Sequence, residues 1–262
     1  MTRWFLRILI CTLLLPVALV LASCSDPDDE QTETPPDPAE LVQEAAGKID
    51  QAESFRLELR QEGPPTHIRN ELGLDVTLNN ADAIFVQPNR LRARVSVAIG
   101  QVTQDVQVVA VDDRQYANNL FLTNDEWQVM IFAANFSPQD LQSIENGIGT
   151  ALRSMQNVEL VGREDLDGVS VYHLHGTVDA GRVRSVTVGL IRTAEGEIGL
   201  DVYIRTKDGF PARIVLEEPP DPNAETDEPR VWNIDFTGYN NYDASQIEEP
   251  EAAAMPTEAS DQ

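Results

Sequence analysis

The side chain best placed to do chemistry is a cysteine near the start of the chain. Cys24 follows Leu21-Ala22-Ser23, and the sequence turns acidic directly after it, through Ser25-Asp26-Pro27-Asp28-Asp29-Glu30. A small residue before a cysteine at the end of an apolar run matches the bacterial lipobox. There the thiol takes a diacylglyceryl group as a thioether, and cleavage before the cysteine frees its amine for further acylation. The upstream residues fit: Arg3 and Arg7 with no acid, then a charge-free run from Ile8 to Ala22. That run is short of the roughly 20 apolar residues that span a bilayer, so residues 1–23 are predicted to be a lipoprotein signal peptide. Cys11 leaves with it, which makes Cys24 the only cysteine of the mature chain and excludes an internal disulfide. The other reading is an ordinary secretory signal, which would leave a secreted protein with one free thiol. Two acyl chains anchor stably where one is marginal. The prediction is a lipid anchor on Cys24 in the cell membrane, with the protein on the extracytoplasmic side.

The remaining reactive side chains do not suggest a reaction centre. No Gly-x-Ser-x-Gly elbow occurs in the sequence. Gly147-Ile148-Gly149 has Leu152 where a phosphate-binding loop needs its third glycine, and helix packing explains the pair better. His173 and His175 lie two apart on a strand and share a face. They could be half of a metal site, but the nearest further ligand of that kind is distant His67, and an exposed polar face is the plainer role. Asp165-Leu166-Asp167-Gly168 resembles the start of a calcium loop without its downstream glutamate, and a hairpin turn accounts for it. Asn135-Phe136-Ser137 fits a glycosylation acceptor, which matters little in a bacterial lipoprotein. Neither catalysis, nor a cofactor, nor a metal is expected.

Charge narrows the partners. Of 262 residues, 44 are acidic and 19 basic, a formal charge of −25. Phosphate backbones are bound by basic surfaces that release counterions, so nucleic acid is not expected. Aromatics are scarce and not interleaved with basic residues, so single strands lack a stacking platform as well. A polybasic attachment to anionic lipid is excluded on the same ground. Any membrane contact must come from something other than surface charge.

Residues 24–36 read as a lipidated cysteine and a flexible acidic tether. Residues 246–262, rich in glutamate and alanine, read as a disordered acidic tail. Between them, 37–245 is predicted to be one domain. Asp37-Pro38 is a helix start, and Leu41, Val42, Ala45, Ala46, Ile49 and Ala52 follow at helical spacing. Strands follow. Phe55, Leu57 and Leu59 alternate with polar residues; so do Leu91, Ala93, Val95, Val97 and Ile99, then Val106, Val108 and Ala110. The same period returns at Val186, Val188 and Leu190, at Ile198 to Ile204, and at Trp232, Ile234 and Phe236. Turn signals stand between them at Pro88-Asn89, Asp112-Asp113, Asp167-Gly168, Glu195-Gly196 and Asp208-Gly209. Ser137-Pro138 opens a second helical pattern through Leu141, Ile144, Ile148, Leu152 and Met155, weakened by Gly147 and Gly149. The expected fold is α+β: a large curved antiparallel sheet of roughly ten to twelve strands, an N-terminal helix and a mid-chain helical insertion. Two helices cannot cover such a sheet fully. The space left is either an apolar cavity of the kind that holds an acyl chain or a closed, packed core.

Several stretches together resemble the LppX/LprAFG lipoproteins. These are the lipobox, the Pro38-to-Ala52 helix followed by Ser54-Phe55-Arg56-Leu57, and the run Ala83 to Arg92 (AIFVQPNRLR). Val158 to Leu174 (VELVGREDLDGVSVYHL) and Trp232 to Tyr239 (WNIDFTGY) complete the match. The resemblance implies a half-barrel sheet around an apolar cavity, similar to the lipoprotein carrier LolA. It also implies binding of an acylated lipid or glycolipid and its transfer toward the cell envelope, with a membrane transporter as a further partner. The long acidic tail and the polar segment Glu217–Arg230 depart from that pattern, and the cargo is not carried over. Cavity-lining candidates are the apolar residues of the inner face and the helices: Leu41, Ala45, Val95, Val97, Val106, Val108, Ile144 and Ile148. The alternative is a non-transporting envelope lipoprotein, a sensor or scaffold for a partner protein, with a filled core.

Overall fold

The computed structural model describes residues 35–69, 75–131, 136–183, 186–187, 191, 196–220 and 227–251. Cys24, the signal peptide, most of the tether and the chain beyond Glu251 lie outside the described residues. The described residues from Pro36 onward form one compact unit.

Helix α1 (Pro38–Asp50) starts where the sequence demands. The Asp37 carboxylate accepts the backbone N–H of Ala39 at 2.8 Å and of Glu40 at 3.2 Å, and Pro38 takes the first helical position. Val42, Ala45, Ala46 and Ile49 form its buried stripe. Strands β1 (Ser54–Glu62), β2 (His67–Arg69), β3 (Asp75–Val86), β4 (Arg90–Ile99), β5 (Val102–Val111) and β6 (Arg114–Asn118) follow. They lead to a one-turn helix α2 (Leu120–Thr123), a two-residue strand β7 (Gln128–Val129) and helix α3 (Ile148–Arg153). The chain ends in β8 (Gln156–Leu166), β9 (Val169–Asp179), β10 (Glu197–Arg205), β11 (Pro211–Glu218) and β12 (Arg230–Thr237).

All twelve strands belong to one open antiparallel sheet in the order β7-β6-β5-β4-β3-β1-β12-β11-β10-β9-β8, with β2 pairing β3 off that path. Each half is a meander, and the two halves join where β1 pairs the last strand, β12. The turns carry the residues their geometry requires. Asp167 and Gly168 both have positive φ, 54° and 85°, between β8 and β9, and Gly209 has φ 75° between β10 and β11.

One face of the sheet, with α1 and α3 upon it, holds the main apolar core; it includes Phe55, Phe85, Leu174, Ile198, Leu216, Trp232 and Phe236. The opposite face is polar except for a small second cluster of Val86, Val109, Val111, Tyr116 and Ile247. That cluster exists because the chain after β12 returns as a strap across the outer face. Asn240 N–H donates to Ser54 O at 2.8 Å, Arg90 donates to the Ile247 carbonyl at 2.6 Å, and Arg114 pairs with Glu249 at 2.8 Å.

Three sequence expectations are corrected. The mid-chain helix is two short pieces: a 3-10 turn at Pro138–Gln142, then α3 from Ile148. Gly147 caps α3 in extended backbone, and a Cβ there would sit 2.5 Å from the Ser143 carbonyl, so the chain turns where a helix would have run on. Where a strand is expected to begin at Val186, Val186 and Thr187 form a turn after the 3-10 turn at Ala180–Val183, with Thr187 N–H bonded to the Val183 carbonyl; Val188 and Leu190 lie outside the described residues. Val183, Val186 and Ile191 are buried, so their spacing reflects packing onto the core and not strand parity. Finally, residues 246–249, assigned to the tail by composition, are held to the sheet, with Ile247 only 1% exposed. Acidic composition hid one buried isoleucine and two arginines that hold this segment, Arg90 of β4 through the Ile247 carbonyl and Arg114 of β6 through Glu249.

Candidate functional site: the inner apolar face

Strand register sets two rows of side chains across the inner face. One runs Phe236, Leu57, Ala83, Ala93, Val108 and Ala117 from β12 to β6. The next runs Ile234, Leu59, Ala81, Val95 and Val106. Large residues stand at the β1–β12 junction, and small ones take over on β3, β4 and β6. Phe55 packs on Phe85 with ring centroids 5.0 Å apart and on Phe236 at 5.9 Å, filling the junction. Ala81 and Ala93 remain partly open, as do Val76, Leu122, Met130 and Phe136 around them. The cover over the inner face is therefore incomplete on the β3–β4 side.

Helices α1 and α3 form the cover on the other side, and two contacts place them. Arg153 of α3 pairs with Asp50 at the end of α1 at 2.6 Å. A Cβ on Gly149 would lie 2.6 Å from Asp50 Cγ and nearer still to its Oδ1, so only glycine admits this approach. Gln142 ties the 3-10 turn down, its amide donating to the carbonyls of Ile49 at 2.7 Å and Ala52 at 2.8 Å. The glycines that weakened the helical pattern in the sequence are thus what lets the cover close.

Both ends of the apolar face carry polar fastenings. At one end Tyr239 is partly buried, stacks on Phe210 at 4.2 Å and donates to the Pro211 carbonyl at 2.9 Å; desolvation of its phenol raises it well above the ordinary range. At the other, Glu218 is 3% exposed and accepts from Arg230 at 2.7 Å and from the Trp232 indole at 3.3 Å. A buried carboxylate needs such partners.

Of the candidate residues, Ala45, Val95, Val97, Val106, Val108 and Ile148 are buried in the main cluster, and Leu41 packs against it partly buried. Val95 and Val106 are direct cross-strand partners. Ile144 is corrected: it is 88% exposed, because the helix expected to turn it inward breaks before α3. Cys24 lies outside the described residues. Sequence reading missed Ala81 and Ala93 as the open part of the face, since a small side chain inside an alternating strand carries no signal of its own. The buried Glu218–Arg230 pair was missed too, its segment reading as a polar loop.

The polar motifs resolve simply. His173 sits on the outer face with its two ring nitrogens 2.8 Å from Glu164 and 2.8 Å from Asp201, its ring stacked on Tyr203 at 4.4 Å. Among the described residues, no group of three or more His, Cys, Asp or Glu is placed to hold a metal, and no helix is long and apolar enough to cross a membrane.

A family model described as LppX_LprAFG lipoprotein matches residues 37–247. The chain is 27% identical over 211 residues to the lipoarabinomannan carrier protein LprG of Mycolicibacterium smegmatis, covering 79% of this chain and 85% of the relative. Among solved structures it resembles LprF from Mycobacterium bovis, with TM-score 0.60, 14% identity, 82% of this chain and 97% of the other covered. It also resembles the Mycobacterium tuberculosis lipoprotein LppX, with TM-score 0.54, 18% identity and 82% and 100% coverage. At those identities the two structures speak for the fold.

Proposed function

The chain belongs to the LppX/LprAFG lipoprotein family, and from that premise we propose that it is a membrane-anchored carrier of an acylated lipid or glycolipid. The acyl chains lie against the inner face, over Ala81 and Ala93, between the sheet and the α1–α3 cover. Transfer of that cargo toward the cell envelope is the role, with the anchor on Cys24 keeping the protein at its donor membrane. The observation that carries the reading is the incomplete cover: partly open apolar side chains, Ala81 and Ala93 among them, on a face whose centre is filled by Phe55, Phe85, Trp232 and Phe236. Each methylene moved from water to this surface contributes about 0.8 kcal/mol, enough for one chain to bind stably. The 27%-identical relative, named for carrying lipoarabinomannan, supports a glycolipid as the cargo class.

The test is native mass spectrometry and organic extraction of the full chain purified from a membrane-containing host. Lipid is expected to co-purify, and Ala93→Trp is expected to displace it while leaving the protein folded, since Ala93 is only partly buried. Lipid retained in full by a folded Ala93→Trp protein, or no lipid and no uptake of acyl probes in the parent, overturns the reading. Val97→Trp is the poorer probe, because Val97 is fully packed and its replacement reports on folding.

A further inference from the structure

A single row of side chains crosses the outer face from edge to edge. It runs His173, Tyr203, Arg213, Asp235, Glu58, Asp82, Arg94, Gln107 and Asn118 on successive strands from β9 to β6. Over most of its length the charges are consumed by each other. Asp82 takes both nitrogens of a bidentate Arg56 at 2.7 Å, Asp235 is shared by Arg60 and Arg213, and His173 is bracketed by Glu164 and Asp201.

The pattern stops at Arg94. Asp82 is its cross-strand neighbour but is already committed to Arg56. From Arg94 onward the row forms the floor of an open cleft of about 420 Å³, lined by Arg94, Gln104, Asp105, Gln107, Asn118, Asn119, Leu120 and Asp125. Asn119 is structural, its carboxamide oxygen capping α2 and its amide bound to the Asp105 carbonyl at 2.9 Å. The other six polar side chains of this cleft make no hydrogen bond or ion pair among the described residues. Asn118 stands out: it is 8% exposed, yet its amide has no protein partner. Its carboxamide lines the cleft, so its oxygen and amide are free to bond an occupant.

We propose that this cleft is a binding site for a neutral saccharide. The donor set decides the class. One guanidinium, three carboxamides and two carboxylates are planar groups that bond vicinal hydroxyls in pairs, as donor and acceptor at once. Two carboxylates against one arginine leave the cleft negative, which disfavours phosphate or any other anion. Leu120, which lines the cleft and is 63% exposed, supplies an apolar contact for the C–H face of a sugar ring. The site is on the opposite face from the acyl-chain surface and does not require it.

The sugar has two natural sources, the headgroup of a carried glycolipid or a free envelope glycan, and one titration series separates them. The full chain in detergent is titrated calorimetrically with neutral mannose and arabinose oligosaccharides, with an acylated mannoside, and with inorganic phosphate. At least one oligosaccharide is expected to bind at millimolar or lower concentration, and phosphate is not. Gln107→Leu and Arg94→Met are expected to weaken binding roughly tenfold each, while Arg163→Met, at the far edge of the sheet, leaves it unchanged. Ala93→Trp is expected to leave oligosaccharide binding intact, so failure of the lipid reading and failure of this one are told apart. Equal weakening of the acylated and free sugars assigns the headgroup; weakening of the free sugar alone assigns an envelope glycan; either supports the site. No heat with any oligosaccharide, binding indifferent to Gln107 and Arg94, or phosphate bound in their place overturns it.

Discussion

Replacing Gly149 by alanine should destabilise the protein only while Asp50 keeps its carboxylate. The added methyl must occupy space where Asp50 Cγ is 2.6 Å away, and Asp50 cannot yield freely because its Oδ2 pairs with Arg153 at 2.6 Å. Overpacking of this kind costs roughly 1–3 kcal/mol. Losing a pair whose side chains are 25% and 34% exposed adds less than about 1 kcal/mol. Against this stands the gain of up to about 1 kcal/mol for alanine over glycine inside a helix. The net is about 1–2 kcal/mol, which for a domain of this size lowers the midpoint by roughly 2–8 °C. In an Asp50→Ala background the obstacle is gone and only the helix gain remains, so the same substitution becomes neutral or stabilising. The assay is a double-mutant cycle by thermal and urea unfolding, with lipid content measured in parallel. A penalty of equal size in both backgrounds would refute the claim that the Asp50 carboxylate, and hence the α1–α3 contact, is what requires glycine.

Other outcomes follow from the strap and the anchor. The Glu249 carboxyl is held below its ordinary value of 4.5 by hydrogen bonds from Tyr116 and Arg114, so its contribution to docking is complete above that value and is lost as pH falls below it. The Tyr116 phenol is raised above 10.0 by burial and then by its bond to Glu249, so its contribution is complete below pH 10.0 and is lost as pH rises beyond it. Amide exchange over residues 242–249, corrected for intrinsic rates, should therefore be slowest between those limits. Glu249→Gln should abolish the acid limb, and an acid limb that persists in it argues for another group. Cys24→Ser should move the protein from the membrane fraction to the soluble one; unchanged fractionation would sink the anchor.

How much of this was legible beforehand depended on whether a residue's role was local. Asp37-Pro38 and Asp167-Gly168 act within their own turn, so the helix start and the β8–β9 hairpin could be read directly. Leu91 to Ile99 and Ile198 to Ile204 alternate because one sheet face is buried along their whole length, and they too were legible. Strand β8 was hard to read by pattern because it is the sheet's edge and exposed at most positions. The strand expected to begin at Val186 does not begin there because Val186 is buried from a turn, where burial carries no strand parity. Ile144 failed because helical periodicity continued through a break set by the Ser143 carbonyl, a contact that no spacing encodes. The outer cleft was invisible for the same reason. Arg94, Gln107 and Asn118 are far apart in sequence, and only the register of β4, β5 and β6 makes them neighbours.

The excess acidity acquires a more specific meaning once the two faces are separated. From β9 to β3 the charges on the outer row come in opposed partners, so that part of the face is held by weak, solvent-screened pairs and gives no positive field with which to grip an anionic membrane. The inner side offers a different driving force, apolar surface on β3 and β4 that is only partly covered. In the proposed carrier this division is useful. An apolar chain can leave a bilayer only for a surface that is also apolar, and the rest of the protein must not follow it into the membrane. A repelling, hydrated exterior around one incomplete apolar face meets both conditions, with the anchor supplying proximity that the surface itself opposes. New positive charge on the outer row is expected to leave lipid affinity alone and to slow release from anionic vesicles, whereas filling the space beside Ala93 is expected to do the reverse.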